Sequence, residues 1–287
     1  MRDLPISGRL IEEQKKRKKY RIRVSLLFFF LIVSMIFALS FFSHHKKLIL
    51  GEIEVNGVNV IDEDDLKYFI NQKLSGNYLY LFSRANNFIY PKKEIYNGLI
   101  FNFPRIETLE ISKDGFNKLK INIKERVGVY LYCGEIVPEE KKDVGENCYF
   151  INDAGYIFDK APYYSGNIYF KYYLKLDSQN ILGSNLFDGE YFIQMTRFIN
   201  GIKHLGFEPI YLIIDSDNTG HLYLEHRNIA TEPKIIFKTN EDLESLINDF
   251  SVSLREKEFK NELESGYNKL LYLDLRFKNK ILYKFEK

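Results

Sequence analysis

The hydropathy of the chain is uneven along its length. One long apolar run lies near the start, and short alternating or helical-period stretches follow it. Residues 24–42 read VSLLFFFLIVSMIFALSFF, without a single charge. As a helix, this run would be about 28 Å long, close to the hydrocarbon thickness of a bilayer. Later apolar windows, such as residues 211–214, are only strand-length.

The pattern then changes period. Residues 48–55 are predicted to form a strand, with Asn56-Gly57 as the turn after it. Asp62 suits a helix cap, with Glu63, Asp64 and Asp65 in the first turn and Leu66, Phe69, Ile70 and Leu74 at helical spacing. Pro91 opens a second helix with Ile95, Leu99 and Ile100 as its apolar face, and Pro104 ends it. Residues 106–111 and 119–123 alternate around a turn at 113–117. Strand, helix, helix, strand, strand predicts a small α+β module over residues 43–125.

Residues 126–287 read as a second domain. Strands are predicted at 127–132, 148–151, 156–158 and 168–176, a helix at 190–205, and a hairpin at 209–214 and 221–225. A short strand at 234–237 precedes one long helix, capped by Asn240 and carrying Leu243, Leu246, Ile247, Phe250 and Leu254. Residues 269–277 and 280–285 close the chain as a hairpin. The fold class is α+β: the small module, then a mixed α/β domain with a mainly antiparallel sheet.

Composition narrows the function classes. An apolar share of 45% and a charged share of 28% exclude global disorder and a polytopic membrane protein. The net charge of +2 hides an asymmetry. Residues 1–23 hold nine basic and three acidic side chains, a net of +6, which leaves −4 for the remainder. Basic flanks stay cytoplasmic. The expected topology is a cytoplasmic tail (1–23), a transmembrane helix (24–42) and everything later outside, a single-pass type II protein of the cell membrane. Two other readings compete: a nucleic-acid-binding arm, and a signal peptide cleaved near Ala38-Leu39-Ser40.

No catalytic constellation is legible. There is no phosphate-binding Gly-rich loop and no nucleophile elbow. His44 and His45 lie at the membrane edge. His221 and Glu225 would share a strand face without a third ligand. Asp215-Ser216-Asp217-Asn218-Thr219-Gly220 imitates the start of a calcium loop, but its twelfth position is His226 instead of Glu, so a turn is the better reading. Cys133 and Cys148 flank a 14-residue polar loop. In an oxidising compartment a disulfide is expected; two buried thiols or a metal site are the alternatives.

Several short runs, in order, resemble a known family. Gly76-Asn77-Tyr78-Leu79 looks like a Gly-x-Asn-Leu step after a first helix, and Phe103-Pro104-Arg105-Ile106 like a Pro-x-Val/Ile strand entry. Residues 119–126, LKINIKER, resemble a Leu-x-Ile-x-Ile-x-Glu-Arg run. Asn152-Asp153-Ala154-Gly155-Tyr156-Ile157-Phe158 is similar to an Asp-x-x-Gly hairpin, and Leu273-Asp274-Leu275-Arg276 to a final Ile/Val-Asp-Leu-Arg strand. Over about residues 20–286 the chain resembles the FtsQ/DivIB family of bacterial division proteins. Gly128, where that family often has Pro, departs from the pattern.

The resemblance implies that residues 43–125 are a POTRA module and 126–287 a β domain. It implies a non-enzymatic scaffold of the division machinery at the septum, without cofactor, metal, nucleic acid or small-molecule substrate. Its partners would be membrane division proteins resembling FtsB and FtsL. Docking is expected on the terminal hairpin, at Tyr272, Asp274, Arg276, Ile281, Leu282, Tyr283, Lys284 and Phe285, through strand addition at an open edge. An ordinary edge guarded by Lys278, Lys280 and Lys284 is the bland alternative. Leu271, Leu273, Leu275 and Phe277 are expected to face the core and Tyr272, Asp274 and Arg276 to face out. Ile281, Tyr283 and Phe285 should likewise face in, with Leu282, Lys284 and Glu286 out. A proline at Lys284 is expected to block pairing with a partner. A POTRA-bearing transport component and an exported enzyme are the other function classes.

Overall fold

The computed structural model describes residues 8–135, 137, 147–164, 166–176, 180–225, 232–278 and 280–286. The chain divides into two units, residues 1–125 and residues 126–287.

The first unit begins with α1 (Gly8–Ser43), one helix running through the basic stretch and the apolar run alike. Among the described residues it is the one helix long and apolar enough to cross a membrane. Its leucines and phenylalanines between residues 26 and 42 are all exposed. A helical segment apolar on every side and uncovered by the described residues suits an apolar solvent.

The expected strand at 48–55 forms only in its second half. Residues 48–50 pair instead with residues 85–87: the Leu50 N–H donates to the Ala85 carbonyl and the Asn87 N–H to the Leu48 carbonyl. The strand proper is β1 (Glu52–Asn56). Helix α2 (Glu63–Leu74) follows, with the Asp62 carboxylate accepting from the Asp64 N–H at 2.8 Å. A two-stranded hairpin comes next, β2 (Asn77–Tyr78) and β3 (Phe82–Ser83), then α3 (Lys92–Asn102), β4 (Ile106–Asp114) and β5 (Lys118–Glu125). The sheet order is β1-β5-β4, with β1 parallel to β5 and β4 antiparallel to it. Leu66 and Ile70 of α2, Ile95 and Leu99 of α3, and Leu119 and Ile121 of β5 are sealed at its centre.

Sequence patterning missed the β2–β3 hairpin because its turn lacks the usual residues. Leu79 and Tyr80 hold φ of 49° and 61°, and the Leu81 N–H donates to the Tyr78 carbonyl at 3.0 Å. Two positive φ values inside such a bond describe a type I′ turn, which favours Asn-Gly. A side chain with a Cβ costs about 1–2 kcal/mol at each position.

At the other end of the sheet, Glu125 closes the unit. Its carboxylate accepts from the backbone N–H groups of Asn59, Val60 and Ile61 at 2.7, 3.0 and 3.0 Å, just before α2. Burial pushes the Glu125 pKa up, but the three N–H donors and the nearby Arg105 outweigh it and hold it below the ordinary value. Gly57 makes the approach possible: at φ +84°, a Cβ there would sit 2.0 Å from the Ile123 carbonyl oxygen.

Among its described residues the second unit has nine strands: β6 (Tyr130–Tyr132), β7 (Tyr149–Ile151), β8 (Ile157–Lys160), β9 (Phe170–Leu174), β10 (Pro209–Ile214), β11 (Thr219–Leu224), β12 (Lys234–Lys238), β13 (Leu270–Phe277) and β14 (Lys280–Phe285). They form one mixed sheet in the order β14-β13-β12-β11-β10-β9-β6-β7-β8. Pairing is parallel at β12–β13, β9–β10 and β6–β9, and antiparallel elsewhere among the described residues. Helix α4 (Gly189–His204), capped by Asp188, lays Phe192, Met195, Phe198 and Ile202 on one face of this sheet, against Tyr172, Leu212, Leu222 and Phe237.

The single long helix expected near the end is two: α5 (Leu243–Ser253) and α6 (Lys257–Gly266). The cap of the first is Asp242, not Asn240; its carboxylate accepts from the Glu244 and Ser245 N–H groups. The break falls at residues 254–256 without Gly or Pro, so periodicity alone runs through it.

Cys133 and Cys148 form a disulfide, with Cα atoms 4.2 Å apart. It lies beside a small aromatic cluster of Phe150, Phe158, Tyr164 and Tyr169. Most of the polar loop it closes lies outside the described residues.

Two measurements follow from these contacts. Glu125→Gln is expected to lower unfolding stability by about 1–2 kcal/mol at neutral pH, read by chemical denaturation. A carboxyl whose pKa is lowered on folding stabilises above its unfolded pKa and loses that contribution as pH falls. The gap between the two proteins should therefore be full above about pH 4.5 and close below it; a gap that does not change with pH would refute the capping role. Reducing the Cys133–Cys148 bridge should remove about 3 kcal/mol from the stability of the second unit. Equal denaturation midpoints for the oxidised and reduced proteins would contradict this.

Candidate partner-docking site

The terminal hairpin is irregular, and the irregularity lies entirely on β13. Partners run Leu270↔Phe285, Tyr272↔Lys284, Leu273↔Tyr283, Asp274↔Leu282 and Phe277↔Lys280, so β13 carries an extra residue at two places and β14 none. Leu270, Leu273 and Leu275 are buried against the helices. Leu271 is only partly buried and Phe277 is 47% exposed, which corrects the simple alternation; the bulges shift both out of step.

Asp274 departs furthest from expectation. It lies on the face opposite the helices, as its parity requires, yet it is 4% exposed. Arg276 covers it, donating from Nε to Oδ1 at 2.9 Å and from Nη2 to Oδ2 at 2.7 Å. The Arg276 backbone N–H also donates to Oδ1, at 3.1 Å, within the second bulge. Burial raises the Asp274 pKa, and the Arg276 bonds outweigh it and bring it below the ordinary carboxylate value. Asp274 and Arg276, both expected to meet a partner, therefore engage each other and stabilise the bulge.

Strand β14 alternates. Ile281, Tyr283 and Phe285 pack against the helical core, while Leu282, Lys284 and Glu286 are exposed. Helix α6 backs the inner face: the Tyr283 hydroxyl donates to Glu262 at 2.7 Å, its ring lies 5.2 Å from Phe259, and a Cβ on Gly266 would meet the Phe285 ring.

The backbone parity of β14 is set by one bond. The Glu286 N–H donates to the Lys269 carbonyl at 2.6 Å, so it points toward β13. Successive amides of a strand point to opposite sides. The amides of Lys284 and Leu282 therefore also point toward β13, and those of Ile281, Tyr283 and Phe285 point out to the free edge. This corrects the expectation for Lys284. A proline there removes a donor of the hairpin itself, not of the edge.

The opposite end of the sheet is not equivalent. At β8 the Ile157 N–H donates to Ser184, the Gly183 N–H donates to Ile157, and Tyr156 bridges Asn185, so residues 183–185 cover the start of that edge. Beside β14 an open groove of about 560 Å³ runs between α5 and the hairpin, with Asp242, Asp249, Leu246 and Val252 on one wall and Phe277, Lys280 and Ile281 on the other.

Sequence reasoning also missed a row crossing the sheet face opposite α4. Lys171, Tyr211, Tyr223, Lys234, Tyr272 and Lys284 are successive cross-strand partners from β9 to β14. The Tyr211 and Tyr223 rings stack at 4.5 Å, and the Lys234 Nζ lies 5.4 Å over Tyr223. Only the pairing register, which no local pattern carries, aligns them.

The calcium-like segment is the β10–β11 turn. Its carboxylates are engaged by their own chain: Thr219 and Lys238 hold the Asp217 carboxyl down to about 2, and Asp215 pairs with His221 Nε2 at 2.9 Å. His226 lies outside the described residues. Among the described residues no three His, Cys, Asp or Glu side chains converge as a metal site.

Neither protein-family models nor curated proteins give a match to this chain.

Asp274→Asn keeps an acceptor for the Arg276 N–H but removes the charge pair, and is expected to destabilise the second unit by about 1–3 kcal/mol. Lys284→Pro should destabilise it as well, read by thermal melting. A Lys284→Pro protein as stable as the parent would reverse the parity assigned to β14.

Proposed function

We propose that the chain is a non-enzymatic scaffold, held in the membrane by α1 with its basic end cytoplasmic, that captures an extended partner segment as an additional strand on β14. The observation carrying this reading is the free edge: the amides of Ile281, Tyr283 and Phe285 face away from the sheet, while their side chains pack inward, those of Tyr283 and Phe285 against α6. An exposed ladder on a rigid backing offers main-chain bonds at low ordering cost. Lys280 and Lys284 discourage pairing with unselected strands. The adjoining groove, acidic on its α5 wall, adds room for alternate side chains of the partner.

The resemblance to the FtsQ/DivIB family supplies the biological setting. Under it, residues 43–125 act as a POTRA module, a reading supported by the strand, helix, helix, strand, strand order. Membrane division proteins resembling FtsB and FtsL are the partners, and the protein gathers at the septum.

The test follows from the parity of β14. Replacing the Tyr283 amide by an ester, with the α-hydroxy analogue of tyrosine, removes one edge donor and keeps the side chain. Capture of an FtsB-like segment should weaken by about tenfold, the loss of about 1.4 kcal/mol for one backbone bond. The same replacement at Lys284 should leave the edge donors intact and lower hairpin stability instead. Full capture by a folded Tyr283 ester would place docking elsewhere.

A further inference from the structure

The outer end of α1 is bonded into the first unit. The Ser40 hydroxyl donates to the Leu81 carbonyl, the Ser43 hydroxyl accepts from the Ser83 N–H at 2.9 Å, and Asn86 Nδ2 donates to the Ser43 carbonyl at 3.0 Å. Ser40 and Ser43 straddle the end of the uncharged run at Phe42. The β2–β3 turn is therefore level with the last turn of the apolar helix.

The path of the chain brings further turns to the same end. The Asn87 N–H donates to Leu48, and Lys113 Nζ donates to the Asn87 carbonyl at 3.3 Å. The Asn117 carbonyl accepts from Gly51 at 2.9 Å, which brings the β4–β5 turn to the start of β1. Each of these turns exposes a large apolar side chain. Leu79 is 83% exposed and Tyr80 96%; Phe88 and Phe116 are 68% and 61% exposed. Leu79 and Tyr80 occupy the two left-handed positions of a type I′ turn, where local preference favours Asn-Gly. Lys46, Lys47 and Lys113 are exposed around them. Exposed aromatic residues flanked by lysines, level with the end of an apolar span, have the composition of a membrane–water interface.

We propose that the β2–β3 turn, with Phe88 beside it, is a membrane foot: Leu79, Tyr80 and Phe88 enter the headgroup region of the outer leaflet and seat the first unit on the lipid. The inference rests on the reading of α1 as a membrane span. The occupant is the lipid surface into which α1 itself leads, and the neighbouring lysines favour anionic headgroups.

The chain has no tryptophan, so a single substitution gives a unique emitter. Tyr80→Trp, Phe88→Trp and Phe101→Trp would be made in the full chain and reconstituted in phosphatidylcholine–phosphatidylglycerol vesicles, with or without brominated acyl chains. Phe101 is 83% exposed in the last turn of α3, which leads to Ile106, the partner of Glu125 at the end of the sheet remote from the foot. Emission from the Tyr80→Trp and Phe88→Trp proteins should shift to shorter wavelength and fall by roughly half with brominated lipid, while that of the Phe101→Trp protein stays unquenched. Phe30→Trp, in mid-helix, separates the two readings. Quenching of Phe30→Trp without quenching of Tyr80→Trp overturns the foot alone. Unquenched Phe30→Trp overturns the span and the foot with it.

Discussion

A hydrogen-bond ladder must end somewhere, and in the second unit it ends at β14. Among the described residues nine strands pair across a single mixed sheet, and residues 183–185 bond the first residue of β8 on the other side. On the β14 side the two-residue period couples amide direction to side-chain direction. The residues whose amides face away from β13 also turn their side chains toward the helical core. A backbone-blocking substitution at an exposed position of β14 acts on the hairpin itself, because the exposed side chains belong to the amides that face β13.

The coupling shows what local patterning reads well and what it misses. The alternation along β14, the apolar faces of α2 and α4 and the hairpin of β10 with β11 were all legible, because each follows a period that a short window carries. The split between α5 and α6 was not, since residues 254–256 contain no breaker and the apolar period continues across them. Nor were the bulges of β13, where an extra residue is accommodated by an Asp274 carboxylate that replaces a strand partner for the Arg276 amide. The run Leu-Asp-Leu-Arg looks like an alternating strand with two outward charges, but its charges bond to each other. The side-chain alternation of β14 was therefore legible and the direction of its amides was not, because amide direction depends on the Glu286–Lys269 bond across the hairpin.

The first unit repeats the lesson with a carboxylate. Glu125 ends an alternating strand, where an acidic residue would ordinarily be solvated surface. Its three amide partners lie 64 to 66 residues earlier, beside a glycine whose missing Cβ lets the backbones approach. Leu79-Tyr80 is the opposite case. Its local chemistry argues against the turn it makes, and only the surroundings of that turn give the side chains a purpose.

The bonds from Ser40 and Ser43 into residues 81–86 also have a mechanical consequence. A helix ending in a flexible linker would let its globular unit swivel, whereas this helix joins the unit without a joint. Turning α1 about its own axis must turn the unit by the same angle, as an axle turns a wheel. Any neighbour that grips one face of α1 would thereby set the compass bearing of the rest of the first unit.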